Sequence, residues 1–274
     1  AHRRRGAAVT THAIDVTDVP SGAPARAPTP HAGDPRLARL SLNQRTTAQW
    51  TLREAIDGTV AAGLPSIGVW REPLAEVGLS TARNWLADAG LRVSSVCRGG
   101  FFTSTDPGKR KAAQEANLAA IDEAGKLGAA TLVLVPGGLP DRDRDIVGAR
   151  ARVAEAVAGL VPYARDRGVR LGIEPMHPIY AADRGVVSTL AQALDIAEPF
   201  PAEVVGVVVD TFHVWWDPDV ERQVARAAGR IASYQVCDWI TPLATDALLS
   251  RGMMGDGHVD YVMLTRAVAA AGYT

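Results

Sequence analysis

The chain has 274 residues, 47% of them hydrophobic, with Lys+Arg 29 against Asp+Glu 30 and a formal net charge of -1. Near-neutral charge gives no electrostatic case for a nucleic-acid or membrane-surface binder. No apolar run approaches the roughly 20 residues needed to cross a bilayer. Cys97 and Cys237 fall in separate strand-like runs and read as two thiols rather than a disulfide, in keeping with a cytoplasmic setting.

Residues 1–36 carry Pro20, Pro24, Pro28, Pro30 and Pro35 among Ala, Gly, Thr and Arg. Such a mixture buries too little apolar surface to offset the entropy of ordering, so it reads as a flexible tail. Arg3-Arg4-Arg5 lacks the following apolar segment of an export signal. From residue 37 onward, short apolar runs alternate with helix-period segments, and 37–274 reads as one domain. The strand-like runs are 40–43, 66–70, 92–97, 131–135, 170–174, 206–210 and 231–237. Between them, Val153, Val157, Leu160, Val161 and Ala164 repeat at helical spacing, as do Tyr261, Leu264, Thr265 and Val268. Gly63, Gly90, Gly128, Gly168 and Gly272 each sit where a glycine closes a helix.

Regular β-then-α alternation predicts a parallel sheet with right-handed crossovers. The spacing suits a (β/α)₈ TIM barrel, which needs about 250 residues. An open doubly wound sheet is the alternative, but it would place a glycine-rich turn after the first strand, and 40–47 contains no glycine. Only seven β/α units can be counted. Gly272-Tyr273-Thr274 reads as the turn into strand eight, so the sequence is expected to be a fragment lacking that strand.

In a parallel barrel, function gathers where strands end. Strand five ends Glu174-Pro175-Met176-His177 and strand six ends Asp210-Thr211-Phe212-His213, while strand seven contains Gln235. Alternation places Glu174 in phase with Gly172, Asp210 with Val208 and Gln235 with Ser233. If those faces point inward, two carboxylates and an amide converge, and a divalent cation is the natural partner of two buried acids. Pairing with arginines, or capping of nearby helices, is the bland alternative. Trp70 and Phe101 (or Phe102) are expected to reach a substrate, and Arg98 either binds an acidic substrate group or pairs with a carboxylate. Gly255-Asp256-Gly257 reads as a tight turn, with a phosphate cradle as the alternative.

Ile173-Glu174-Pro175, Asp210-Thr211-Phe212-His213 and the Gly-Asp-Gly-x-x-Asp stretch at 255–260 together resemble the motifs of the sugar phosphate isomerase/epimerase (xylose isomerase-like) family, over roughly residues 38–274. The resemblance implies one divalent metal held by Glu174 and Asp210, with Gln235 in place of the family's strand-seven histidine. An amide oxygen would favour Mg²⁺ or Mn²⁺ over Zn²⁺. It also implies isomerase or epimerase chemistry on a small carbohydrate: proton transfer beside a carbonyl through a metal-stabilised enediolate, with Glu174 as acid/base. His213, and less directly His177, would bond a substrate oxygen. A dehydratase acting on an inosose-like substrate and a non-catalytic sugar-binding barrel remain as alternatives, and homo-oligomerisation is left open. A Schiff-base aldolase is excluded because Lys109, Lys111 and Lys126 all lie away from strand ends. A multi-metal endonuclease would need more histidines than His177, His213 and His258.

Overall fold

A computed structural model describes residues 30–274 apart from 32 and 141. Most of the 1–36 segment therefore lies outside the described residues. Its end is ordered: Asp34 caps a 3-10 turn at Pro35–Arg39, and Leu37 is buried.

The chain runs β1 (Leu42–Asn43), α1 (Leu52–Ala61), β2 (Ser66–Trp70), α2 (Arg71–Val77), α3 (Leu79–Asp88), β3 (Arg92–Gly100), α4 (Pro107–Leu127), β4 (Thr131–Val135), α5 (Ile146–Asp166) and β5 (Arg170–Ile173). It continues with α6 (Leu190–Ala197), β6 (Val205–Asp210), α7 (Thr211–Val214), α8 (Val220–Arg226), β7 (Ile231–Gln235), the short pair β8 (Asp238–Trp239) and β9 (Arg251–Gly252), and α9 (Tyr261–Ala270). Strands β1 to β7 form one parallel sheet in sequence order, and β8 pairs antiparallel with β9. Local chemistry sets the helix ends. Thr51 and Glu54 make a reciprocal capping box on α1, and Asp106 with Pro107 starts α4. Gly128 closes α4 at φ 64°, a left-handed turn that costs a glycine little.

The main core lies between the sheet and its helices, from Ile67 and Leu132 across to Ile121, Leu160 and Leu194. A second, smaller cluster of Cys97, Val133 and Val208, with Trp70 against it, fills the inner side of the curl. The sheet is curled tightly enough for the Thr131 hydroxyl on β4 to donate to the Ala232 carbonyl on β7 at 3.1 Å. Gly172 makes that closeness possible, because a Cβ there would lie 2.8 Å from the Thr131 methyl. This is a curled parallel β/α sheet of barrel type, with seven strands among the described residues. At the mouth, Asn43 Nδ2 on β1 donates to Gln235 Oε1 on β7 at 3.3 Å, so a side-chain bond spans the two edge strands.

Five strand boundaries differ from the sequence expectation: β3 runs on to Gly100, β5 stops at Ile173, β6 begins at Val205, and β1 and β7 are each two residues shorter. Leu40 and Ser41 stay outside β1, because Leu40 caps the preceding 3-10 turn and is exposed. Strand seven stops at Gln235 rather than Cys237. Thr211 Oγ1 donates to the Cys237 carbonyl at 2.7 Å and accepts from its N–H at 3.1 Å, drawing the backbone out of the ladder. Neither cysteine forms a disulfide.

Candidate active site

Strand alternation delivers the acids as expected. Val208 faces the inner cluster, so Asp210, two residues on, faces inward at the strand end. Gly172 meets Val208 and Ala232 inside the barrel, and Glu174 follows in the same phase. Both acids are buried, at 6% and 2% exposure. Ligand atoms of Glu174, Asp210 and His213 all lie within 4.8 Å of one another.

The two acids are held in different states. Burial, helped by the charge of Asp210, raises the Glu174 pKa to about 8 against the opposing pull of Arg251 and Arg98. Burial also works to raise Asp210, but the Arg251 charge and the bonds from Arg251 and the Phe212 N–H hold Asp210 below its ordinary value. Asp210 Oδ1 accepts from Phe212 N at 2.8 Å and caps α7, while its Oδ2 accepts from Arg251 at 3.1 Å. At neutral pH the pair thus carries one proton, on Glu174.

His213 is fully buried and neutral, its pKa lowered by burial to about 3. Its Nδ1 accepts from the main-chain N–H of His177 at 3.1 Å. In a neutral imidazole the other nitrogen must then carry the proton, so Nε2 is a donor. That Nε2 lies 3.9 Å from Asp210 Oδ2 and 3.1 Å from an Arg251 nitrogen, which can only donate. Two donors therefore face each other with no acceptor between them. The His177 ring is tilted on Trp239 with centroids 4.5 Å apart and its Nδ1 accepts from Ile179 N, so it fixes His213 through its backbone.

Gln235 pairs in register with Asp210, but its side-chain oxygen is engaged by Asn43. Trp70, Arg98 and Phe101 form a separate group on the β2–β3 side, linked to Gln235 through Asn43, whose Oδ1 accepts from Trp70 Nε1 at 2.9 Å. Phe101 is 43% exposed whereas Phe102 is buried, so Phe101 is the ring at the mouth. It sits at φ 62°, held by a bond from its N–H to the Val135 carbonyl; a left-handed non-glycine costs about 1–2 kcal/mol.

Two functional residues escaped the sequence reading. Arg251 arrives on β9, bonding Asp210 and Cys237 Sγ while its guanidinium lies 4.4 Å from the Phe212 ring centroid. Asp238 fixes the loop that follows β9: its carboxylate accepts from Trp239 and Val259 through Oδ1 and from Gly255 and Gly257 through Oδ2, at 2.8–3.0 Å. The Gly-Asp-Gly turn is therefore no phosphate cradle, because this carboxylate already takes the amides of Gly255 and Gly257. The signal for Arg251 was indirect: two inward acids with no strand-end lysine require a cation from a loop.

A family model described as xylose isomerase-like TIM barrel matches residues 56–274. The chain belongs to the xylose isomerase-like TIM barrel family. Among relatives of this family member, an L-ribulose 3-epimerase of Mesorhizobium japonicum is 25% identical over 252 residues, 86% of this chain and 79% of that protein. The crystal structure of protein SMc04130 from Sinorhizobium meliloti 1021 is 46% identical, with TM-score 0.82 over 85% of this chain and 86% of that one. The IolI protein with a binding zinc atom shares the barrel at 19% identity, with TM-score 0.71 over 85% of each chain. No helix among the described residues is long and apolar enough to cross a membrane.

Proposed function

We propose that this barrel is a divalent-metal-dependent sugar epimerase or isomerase that moves a proton on the carbon next to a substrate carbonyl. The observation that carries the reading is the buried Glu174–Asp210 pair, whose surroundings hold one acid charged and bring the other to a pKa of about 8. A carboxyl with a pKa near working pH can both take and return a proton, as general acid–base catalysis requires. The epimerase relative supports the same class of chemistry.

The donor set fits a hard cation: two buried carboxylates, with the Arg251 guanidinium bonded to Asp210 from a loop. Glu174 and Asp210 would hold the ion, with Gln235 beside Asp210 as a third oxygen donor, and Mg²⁺ or Mn²⁺ suits such oxygens. The bound ion would supply electrophilic pull on the substrate carbonyl. As a carboxylate, Glu174 takes the proton from the carbon, and the C–H electron pair passes into the enediolate. In an isomerisation the protonated Glu174 then delivers that proton to the neighbouring carbon while the hydroxyl proton passes to the former carbonyl oxygen; an epimerisation needs a second acid on the opposite face of the enediolate. His213 Nε2–H and Arg251 both donate, and a substrate oxygen between them would resolve their donor–donor contact. Trp239 and Phe212, packed 4.6 Å apart, shield the reacting carbon from water.

Incubating the protein with Mn²⁺ and a panel of ketoses in D₂O tests this. Deuterium should enter beside the carbonyl, and Glu174→Gln should slow the exchange on the order of 10³-fold. Sugar binding without any exchange would overturn it in favour of a binding barrel.

A further inference from the structure

The wall of the mouth away from the acids has the opposite electrical character. Trp70 is pinned there by its indole N–H to Asn43 and by its main-chain N–H to Gln44 Oε1. Two guanidiniums lie against its ring, Arg45 at 5.4 Å and Arg98 at 5.8 Å from the centroid, and Arg98 also lies 4.8 Å from the Phe101 ring. Their acidic partners are poor. Arg98 reaches Glu72 only at 3.9 Å, and that carboxylate is 62% exposed. The Arg45 guanidinium makes no ion pair or hydrogen bond among the described residues. By contrast, Arg71 grips Glu123 through two nitrogens at 2.6 and 3.0 Å, and Arg251 bonds Asp210. Gln44, next to Arg45, keeps a buried Nε2 with no hydrogen-bond partner among the described residues.

Stacking on aromatic faces fixes the plane of a guanidinium while leaving its edge N–H donors free. Those donors are then aligned for a group with two or three equivalent oxygens. A neutral hydroxyl gains little from two cations, whereas an anion gains from both. We propose that this wall is an anion subsite, and that the substrate is a ketose-like compound bearing a phosphate or a carboxylate at the end remote from its reacting carbon, held by Arg98 with Arg45. The proposal rests on the reading of Glu174 and Asp210 as the reacting end. Arg98 belongs to the same mouth: the Trp70 ring it lies against packs on the inner cluster of Cys97, Val133 and Val208, and Val208 stands two residues before Asp210.

Calorimetric binding to the full chain with Mn²⁺ present tests this, using a ketohexose, its 6-phosphate and the matching 6-carboxylate. The better anion should bind about tenfold or more tightly than the neutral sugar, a gap that narrows with salt. Whichever anion wins identifies the group. Arg98→Gln should erase the preference, and Arg98→Lys should restore part of it. Arg45 is exposed, so Arg45→Gln provides a variant whose folding is not at stake, and it should cut the preference severalfold. Equal binding of neutral and anionic sugars, a preference that survives both substitutions, or no binding of any probe would overturn the proposal. Deuterium exchange on neutral ketoses without an anion preference sinks this inference alone. Anion preference without exchange sinks the catalytic reading alone.

Discussion

The two sides of the barrel mouth are built on opposite plans. On the β5–β7 side, Glu174, Asp210 and His213 are all buried, and the Asp210 and His213 side chains are each locked by a backbone N–H. On the β1–β3 side, Phe101 and Arg98 are substantially exposed, and Arg98 and Arg45 are oriented by ring faces rather than by paired acids. Buried, mutually perturbing carboxylates are useful for moving protons because low dielectric enlarges their coupling. Half-exposed guanidiniums are useful for recognition because they give up little hydration when a ligand arrives. In the proposed reading, chemistry and selectivity fall to separate strands, joined by the Trp70–Asn43–Gln235 hydrogen bonds.

Substitutions confined to one side sharpen that contrast. The largest stability effect is expected from Asp238→Ala, which removes four bonds to a charged acceptor and frees the loop behind Arg251. A loss of about 3 kcal/mol should appear in urea unfolding, with anion preference at Arg98 retained in the folded protein.

A pH profile separates the sides next. Glu174 has a raised pKa, so its contribution to stability is complete below about 4.5 and is lost as pH rises through about 8. His213 and His177, with lowered values of about 3 and 4, work oppositely: their stability is present above about 6.5 and lost as pH falls. Between pH 6.5 and 8 Glu174 alone among these groups is titrating. The melting temperature of metal-free protein should fall across that window, and Glu174→Gln should flatten the fall.

The smallest effect belongs to the other side. Glu72→Gln releases Arg98 from a weak exposed pair and should tighten binding of the anionic sugar by roughly 2- to 5-fold, with no change in the pH profile.

Much of this was legible in the sequence, for reasons of period. A two-residue alternation puts Asp210 in phase with Val208 and Glu174 with Gly172, so the acids could be aimed inward before any coordinates. Helix ends were equally readable, because Gly63, Gly90, Gly128, Gly168 and Gly272 all adopt positive φ. What stayed hidden was set by contacts with no local signature. Arg251 lies 41 residues from Asp210, on a two-residue strand too short to show alternation. Asp238 falls just past the expected end of strand seven, and nothing local marks it as a loop anchor; Thr211 holds the backbone at Cys237 just before it. Gln235 reads as an amide converging on the two acids, yet its oxygen accepts from Asn43, 192 residues away.

Titration of Mn²⁺ into the protein, followed by electron paramagnetic resonance and calorimetry, probes the shared carboxylate site most directly. One ion per chain should bind, releasing a proton at pH 7 as Glu174 ionises and progressively less above about pH 8, and Asp210→Asn should abolish uptake. Uptake that ignores Asp210→Asn, or no uptake at all, would contradict a cation held between these two acids.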